Sequence, residues 1–427
     1  MTVASAPHLR RTGSVLTLVS LAAIAFATLT PEAGVAAESH FCLVCGSLGG
    51  VDVVLNVLLF VPLGIGLALV GFSGKSATLT VFALSVLIET LQLTVVQGRS
   101  STIGDVLTNT LGGALGFAAC RYRARWLRPT PRLAWSLSAA WAIIWIGIQT
   151  ISSYGLSPSL PDSAYYGELA RELGGFALFR GKVLGASVGS SPIPDGAVPD
   201  SHRVRELLLN GASVKSTAVP DEFTSDVAPI VRVADGGRDE ILILAQSGRL
   251  LVFGMRTGAA TLRLRSPLFG LPNAFMQASP ENAPIPQVVS AQYAKRFVRL
   301  TASNGSMRQD RIISLSPSLV WTFWYPGVWT IEGSVTEHAV SWISFFCVAF
   351  PLGYWSVRIT AWPRSAAATL RESLLVGTGL VCLGLIFIPT MFGLPIAPFR
   401  DWSASIIGIL AGHALRQYVS AKTPAKG

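Results

Sequence analysis

Apolar residues dominate eight stretches of the chain, at 13–31, 52–71, 76–96, 104–120, 133–152, 338–358, 372–391 and 402–418. Each is close to the about 20 residues, or about 17 at the least, that a helix needs to cross the hydrocarbon core of a bilayer. Between the fifth and sixth stretches the pattern changes to short alternating runs. "DEILILAQSGRLLVFGMR" reads as two strands around Ser247-Gly248, "RFVRLTASNGSMRQDRIISL" as a hairpin around Asn304-Gly305, and "ATLRLRSP" as a further alternating strand. Many short strands with closely spaced turns predict a β-sandwich or jelly roll. The fold class is thus a polytopic α-helical membrane protein of about eight spans with an inserted all-β domain. Its segments are 1–37, a signal-anchor or signal peptide; 38–152, helical; 153–337, β-rich; and 338–427, helical.

Composition agrees: of 427 residues, 51% are hydrophobic and 13% charged, against about 25% charged in soluble domains. The net charge of +10 does not point to nucleic acid, because the cations sit in short gaps between apolar runs, not on a soluble surface. Alternating the spans from an inside N-terminus puts Arg10, Arg11, Lys75, Arg121, Arg123, Arg125, Arg128, Arg132, Arg358, Arg364, Arg371, Arg416, Lys422 and Lys426 on the inner side. Only Arg99 and Arg400 fall in the short outer loops. Basic loops favour the cytoplasm, so a multi-pass cell-membrane protein with residues 153–337 extracytoplasmic is expected. The basic start, short apolar core and "VAA" of the first segment also fit a cleavable signal peptide, which leaves the remaining topology unchanged.

Several polar residues interrupt the apolar runs near their outer ends. Glu89 and Gln92 share one helical face, Asp105 and Asn109 share a face of the next helix, and Arg99 lies in the brief turn between. With Asn56 from "VVLNVLLFVPLG", these six could form one outward-facing cluster. Ionisable groups at such depth are costly and are usually paired, facing a cavity, or functional. Arg99 could hold a carboxylate or phosphate by two bonds, and Asp105 would gain from the first turn of its helix. The alternative is that these groups only bind helices together. Gly112, Gly113 and Gly116 suit close helix packing.

The ordered set "NVLLFVPLG", "IETLQ", Arg99 and "DVLTNTLGGALG" resembles the VanZ-like membrane protein family. The family's founding member is associated with reduced susceptibility to the glycopeptide teicoplanin, so the resemblance implies a cell-envelope role without naming a reaction. The large insert departs from the minimal family pattern. A degenerate second copy is also expected: "FFCVAFPLGYW" echoes "NVLLFVPLGIG", and "DWSASIIGILAG" aligns Asp401, Gly408 and Gly412 with Asp105, Gly112 and Gly116. Ser405 stands for Asn109, and no acid replaces Glu89. The insert is similar to concanavalin A-like lectin or laminin G domains, which implies glycan binding, although no ligand motif accompanies the likeness.

The aromatic run "VWTFWYPGVW" suits either a membrane-interface belt or a sugar platform, with the belt preferred. His40, Cys42 and Cys45 have the spacing of half a metal site or a redox pair, but no second half follows, and an oxidising exterior favours a Cys42–Cys45 disulfide. No metal, cofactor or nucleophile–base pattern emerges, and His413 receives no role. The expected partners are membrane lipids and an envelope glycan or lipid-linked precursor, with no nucleic acid. The preferred function is recognition of an anionic or polar envelope molecule, whether lipid, glycan or glycopeptide, at the outer face. In it Arg99 meets phosphate or carboxylate, Glu89 and Asp105 orient it, and Gln92 and Asn109 add hydrogen bonds. Two other readings stay open: an enzyme using Glu89 or Asp105 as general base on a lipid-linked envelope substrate, and a membrane anchor for a glycan- or protein-binding β domain.

Overall fold

The computed structural model describes residues 7–31, 42–96, 98–99, 101–275, 285–304, 307–356 and 366–421. His40, the "VAA" of the first segment and Gly305 lie outside the described residues. The helices are α1 (Pro7–Leu29), α2 (Gly49–Val70), α3 (Gly74–Thr94), α4 (Ile103–Arg121), α5 (Arg123–Leu127), α6 (Pro131–Gly155), α7 (Ser201–Leu209), α8 (Gly258–Thr261), α9 (Val335–Trp355), α10 (Ala366–Cys382), α11 (Ile388–Met391) and α12 (Phe399–Ala421), with a π-helical turn over Leu383–Phe387 joining α10 to α11. Among the described residues six stretches are long and apolar enough to cross a membrane: α1, α2, α3, α6, α9 and Leu374–Met391. The other two expected spans, α4 and α12, form as helices of 19 and 23 residues. Their glycines and polar side chains make them less apolar, and those groups face neighbouring helices: Asn109, Gly112, Gly113 and Gly116 are buried in α4, as are Asp401, Ser405, Gly408 and Gly412 in α12.

Two compact units divide the chain. The first holds α1–α5 with the start of α6, up to Leu137, and the end of α12, from His413. Here α2 lies against both α1 and α4, and the contact with α4 is a backbone approach. A Cβ added at Gly112, Gly116 or Gly64 would run into the carbonyl of Val57, Val61 or Gly113. Phe60, Leu63, Leu67, Ala77, Val81 and Ile88 fill the interior with Ile24 of α1. At the other end of the unit Arg416 donates to the carbonyl of Leu127 at 2.7 Å.

The second unit runs from Ser138 to Ser356 and from Ala366 to Gly412. Its helices repeat the packing register of α2–α4 residue for residue. Gly408 meets the Phe346 carbonyl and Gly412 that of Phe350, as Gly112 and Gly116 meet Val57 and Val61; Gly353 meets Ile409 as Gly64 meets Gly113. The helix prolines Pro62 and Pro351 also correspond. Against the third helix the partners are exchanged in size: Gly113 packs on the side chain of Val81, whereas Ile409 packs on Gly377. Trp145 of α6 fills the interior beside Phe345, Val381, Leu385 and Ala404 and donates its indole N–H to the carbonyl of Leu380.

Between α6 and α9 the strands are β1 (Tyr165–Leu169), β2 (Gly181–Val188), β3 (Ser191–Pro192), β4 (Gly196–Ala197), β5 (Ser213–Pro220), β6 (Ala228–Asp235), β7 (Glu240–Ser247), β8 (Leu250–Met255), β9 (Leu268–Leu271), β10 (Gln287–Tyr293), β11 (Phe297–Ser303), β12 (Arg308–Ser314) and β13 (Thr330–Ile331). They form a seven-stranded sheet, β13-β9-β8-β7-β6-β1-β4, and a six-stranded sheet, β12-β11-β10-β5-β2-β3. Among the described residues every strand pairing is antiparallel except β13 with β9. In β10 and β11 buried and partly exposed residues alternate strictly, so one face of the smaller sheet looks inward. The sheets meet through Phe269 and Tyr293, whose rings pack edge to face at 5.9 Å. In contrast β7 and β8 are buried almost throughout, with Phe176 covering Ile243, Ala245 and Val252 on the far face.

The hairpins β7–β8 and β11–β12 form where expected. The strand expected for "ATLRLRSP" does not: Thr261 ends α8 and the chain continues irregularly to Pro267. Arg263 takes a left-handed backbone conformation (φ 55°), which lets the Leu264 N–H close back onto the Ala259 carbonyl at 2.8 Å. That helix-ending turn overrides the local alternation.

Candidate functional site

The polar residues of the first unit assemble around Thr102, which the sequence reading missed. Thr102 caps the N-terminus of α4, its hydroxyl accepting from the Asp105 N–H. It also bridges the two acids. Its backbone N–H donates to Glu89 Oε2 at 2.9 Å, and its hydroxyl donates to Asp105 Oδ2 at 2.9 Å. The other oxygen of Asp105 accepts from the Asn56 amide at 2.6 Å. Asn56 of α2, Asp105 and Thr102 at the start of α4, and Glu89 near the end of α3 therefore form one hydrogen-bonded chain across three helices. The signal for Thr102 was present in the sequence, since Thr-x-x-Asp before an apolar run is a capping pattern.

The other three candidates lie around this chain. Asn109 is buried beneath it and donates to the Ser85 hydroxyl at 3.0 Å, while its carbonyl oxygen has no hydrogen-bond partner among the described residues. Gln92 is buried and donates to the Thr28 carbonyl at 2.8 Å. Arg99 reaches the same end of α1: its Nε donates to the Thr30 carbonyl at 3.2 Å and a terminal nitrogen to that of Ala27 at 3.0 Å. These carbonyls are among those a helix leaves unpaired at its C-terminus, where a cation is favoured. Gln92 and Arg99 thus fasten α1 beside the acids.

A loop closes over the start of α4. Cys42 and Cys45 are joined in a disulfide, the Cys42 carbonyl accepts from the Gly104 N–H at 3.2 Å, and a Cβ at Gly104 would strike the Leu43 carbonyl. The result is acceptor-rich: Glu89 is 7% exposed and Asn109 2%. Among the described residues no group of His, Cys, Asp and Glu could hold a metal ion.

At the matching place in the second unit Asp401 is fully buried, and its Oδ2 accepts from the Ser316 hydroxyl at 2.6 Å. Arg400 lies 3.4 Å from its other oxygen and also contacts His338. Ser316 begins the segment that closes the β region, so a residue of that region occupies the place that Asn56 and Thr102 fill in the first unit. The aromatic run follows. Trp321 donates to the Ser341 hydroxyl at 3.1 Å and Trp329 to Glu337 at 3.2 Å, both on α9, and Trp321, Tyr325 and Trp329 pack edge to face.

Apolar helices closed around two hydrogen-bonded carboxylates, Glu89 buried and Asp105 half-buried, define an integral membrane domain with a polar core. Residues 5–126, which span α1–α4, match the VanZ/LLP1 family model, so this part of the chain is a VanZ-like domain. No curated protein and no solved structure matches the chain.

Proposed function

We propose that the VanZ-like domain binds the polar headgroup of a cell-envelope molecule at the outer face of the membrane. The observation carrying this reading is the pair of acids, Glu89 and Asp105, held by one threonine inside an apolar helix set. Two carboxylates are expensive there and are rarely kept for packing alone. Arg99 is bonded to the carbonyls that end α1, so the acceptors of the cluster favour a ligand rich in hydroxyl or ammonium donors over a simple anion. The outward orientation is supported by the cations at the opposite helix ends, and the same distribution supports reading residues 153–337 as lying on the outer side. There the β-sandwich would hold an adjoining glycan or protein.

The test is native mass spectrometry of the full chain purified from its own membranes. E89Q and D105N, each changing one oxygen to an amide nitrogen, should remain folded and lose a co-purifying polar lipid that the unaltered protein retains. Identical lipid complements in all three proteins would reject the reading. Turnover of that lipid by the purified protein would make the site catalytic.

A further inference from the structure

The second unit contains a buried polar pair that the acid cluster does not explain. Leu385 stands as far beyond Gly377 as Glu89 stands beyond Val81, so the second helix set has an apolar residue at the acid position. Polar groups enter from α6 instead. Gln149 and Ser153 lie four apart on one face of α6, and both are 0% exposed. Neither amide atom of Gln149 and no hydroxyl bond of Ser153 finds a partner among the described residues. Ser152 beside them is satisfied by the Ile148 carbonyl at 2.5 Å, so the pair stands out within its own helix turn.

A second feature meets the same place. The methylene stem of Gln149 lies over Gly384, where a Cβ would come within 2.9 Å of it, and Gly384 belongs to the π-helical turn. Such turns are rare and, where they occur, are frequent at functional sites. This one is held open by a later part of the chain, the Ala397 N–H donating to the Leu385 carbonyl at 3.1 Å. Burying an amide with both ends unpaired costs several kcal/mol in an apolar medium, about 4–8 by transfer to cyclohexane. A bound hydrogen-bonding group would remove that cost.

We propose that Gln149 and Ser153 bind a neutral group that both donates and accepts hydrogen bonds, supplied either by a water molecule or by the hydroxyl of a lipid headgroup. A glutamine amide offers donors and an acceptor without charge, and a serine hydroxyl adds one of each. The full chain carrying Q149L, S153A or both should be melted in lipid nanodiscs and in delipidated detergent. Each single change should lower Tm by about 2–4 °C, and the double change should lower it by less than the sum, because both lose the same occupant. Losses seen in nanodiscs but absent after delipidation assign the group to lipid; losses that persist assign it to water. A Tm of Q149L that rises or stays unchanged in both media would mean that the amide is merely orphaned, and additive losses would mean that no occupant is shared; either overturns the proposal. If Q149L does not fold, a high-resolution map of the unaltered protein decides, with density bridging Gln149 and Ser153 required.

Discussion

At the scale of single residues the site depends on Thr102, because one side chain and one backbone N–H serve two acids. T102V keeps the shape and the N–H but deletes the hydroxyl, leaving Asp105 one donor short and α4 without its cap. A loss of about 1–2 kcal/mol is expected, with T102S close to the unaltered protein; thermal unfolding in one detergent compares them. A second residue-scale prediction belongs to the β-sandwich, where Arg232 lies between Glu168 at 2.7 Å and Glu240 at 3.5 Å. Burial pushes the Glu240 carboxyl above its ordinary value, although Arg232 pulls the other way. A raised folded value contributes stability in acid that is lost as pH rises through it. The Tm of the unaltered protein should therefore fall relative to that of E240Q as pH rises from the ordinary glutamate range through the raised value. A constant difference would show that folding leaves the Glu240 carboxyl at its ordinary value. Of the acid cluster, Glu89, Asp105 and Asn109 could be read from helical spacing, and Asn56 from its place as a polar residue in an apolar run. The capping pattern marks Thr102 as the start of α4 but not as the link between two acids, and Ser85 is an ordinary helix residue until tertiary contact supplies its partner. Arg99 misled for a similar reason: it bonds carbonyls 69 and 72 positions away, and backbone acceptors carry no mark in a sequence.

Among the elements, the helix sets depend on glycines at which backbones touch. G64A and G116A each place a methyl group against a carbonyl of the facing helix, and overpacking of this kind costs about 1–3 kcal/mol. G412A should do the same in the second unit, against Phe350. Gly147 has open space around its missing Cβ, so G147A should be neutral or stabilising by up to about 1 kcal/mol. Melting temperatures of the four variants, taken together, check the repeated register: if G412A behaved like G147A, the correspondence between the units would not extend to energetics. The spans themselves were legible because long apolar runs have few alternatives. The strand assigned to residues 260–267 failed because alternation over six or seven residues is weak beside a left-handed turn at Arg263. Exposed charge in the smaller sheet follows simpler rules: Arg299 holds Asp310 below the usual carboxylate range, so any stability from that pair is present at neutral pH and lost in acid.

For the molecule as a whole, the two units use the start of their last helix differently. In the first, Asp105 is satisfied from α2 and α4, and a short disulfide loop covers the helix end. In the second, the connection between the corresponding helices is the entire β-sandwich, and its final segment supplies Ser316 to Asp401. The β region is thus fastened to its own helices by a buried carboxylate as well as by Trp321 and Trp329, which makes it an integral part of the second unit and not a tethered appendage. S316A leaves Asp401 buried with one donor fewer, at a cost of about 1–3 kcal/mol. The double change S316A/D401N removes the charge as well and should recover part of that loss, since a neutral amide is cheaper to bury than a carboxylate. Limited proteolysis of the full chain in liposomes would follow the β region through this series. Cleavage within residues 153–337 should accelerate in S316A and slow again in the double variant. Equal rates in all three would mean that the β-sandwich is held by the aromatic contacts alone, and that the second acid has kept its position without keeping a mechanical role.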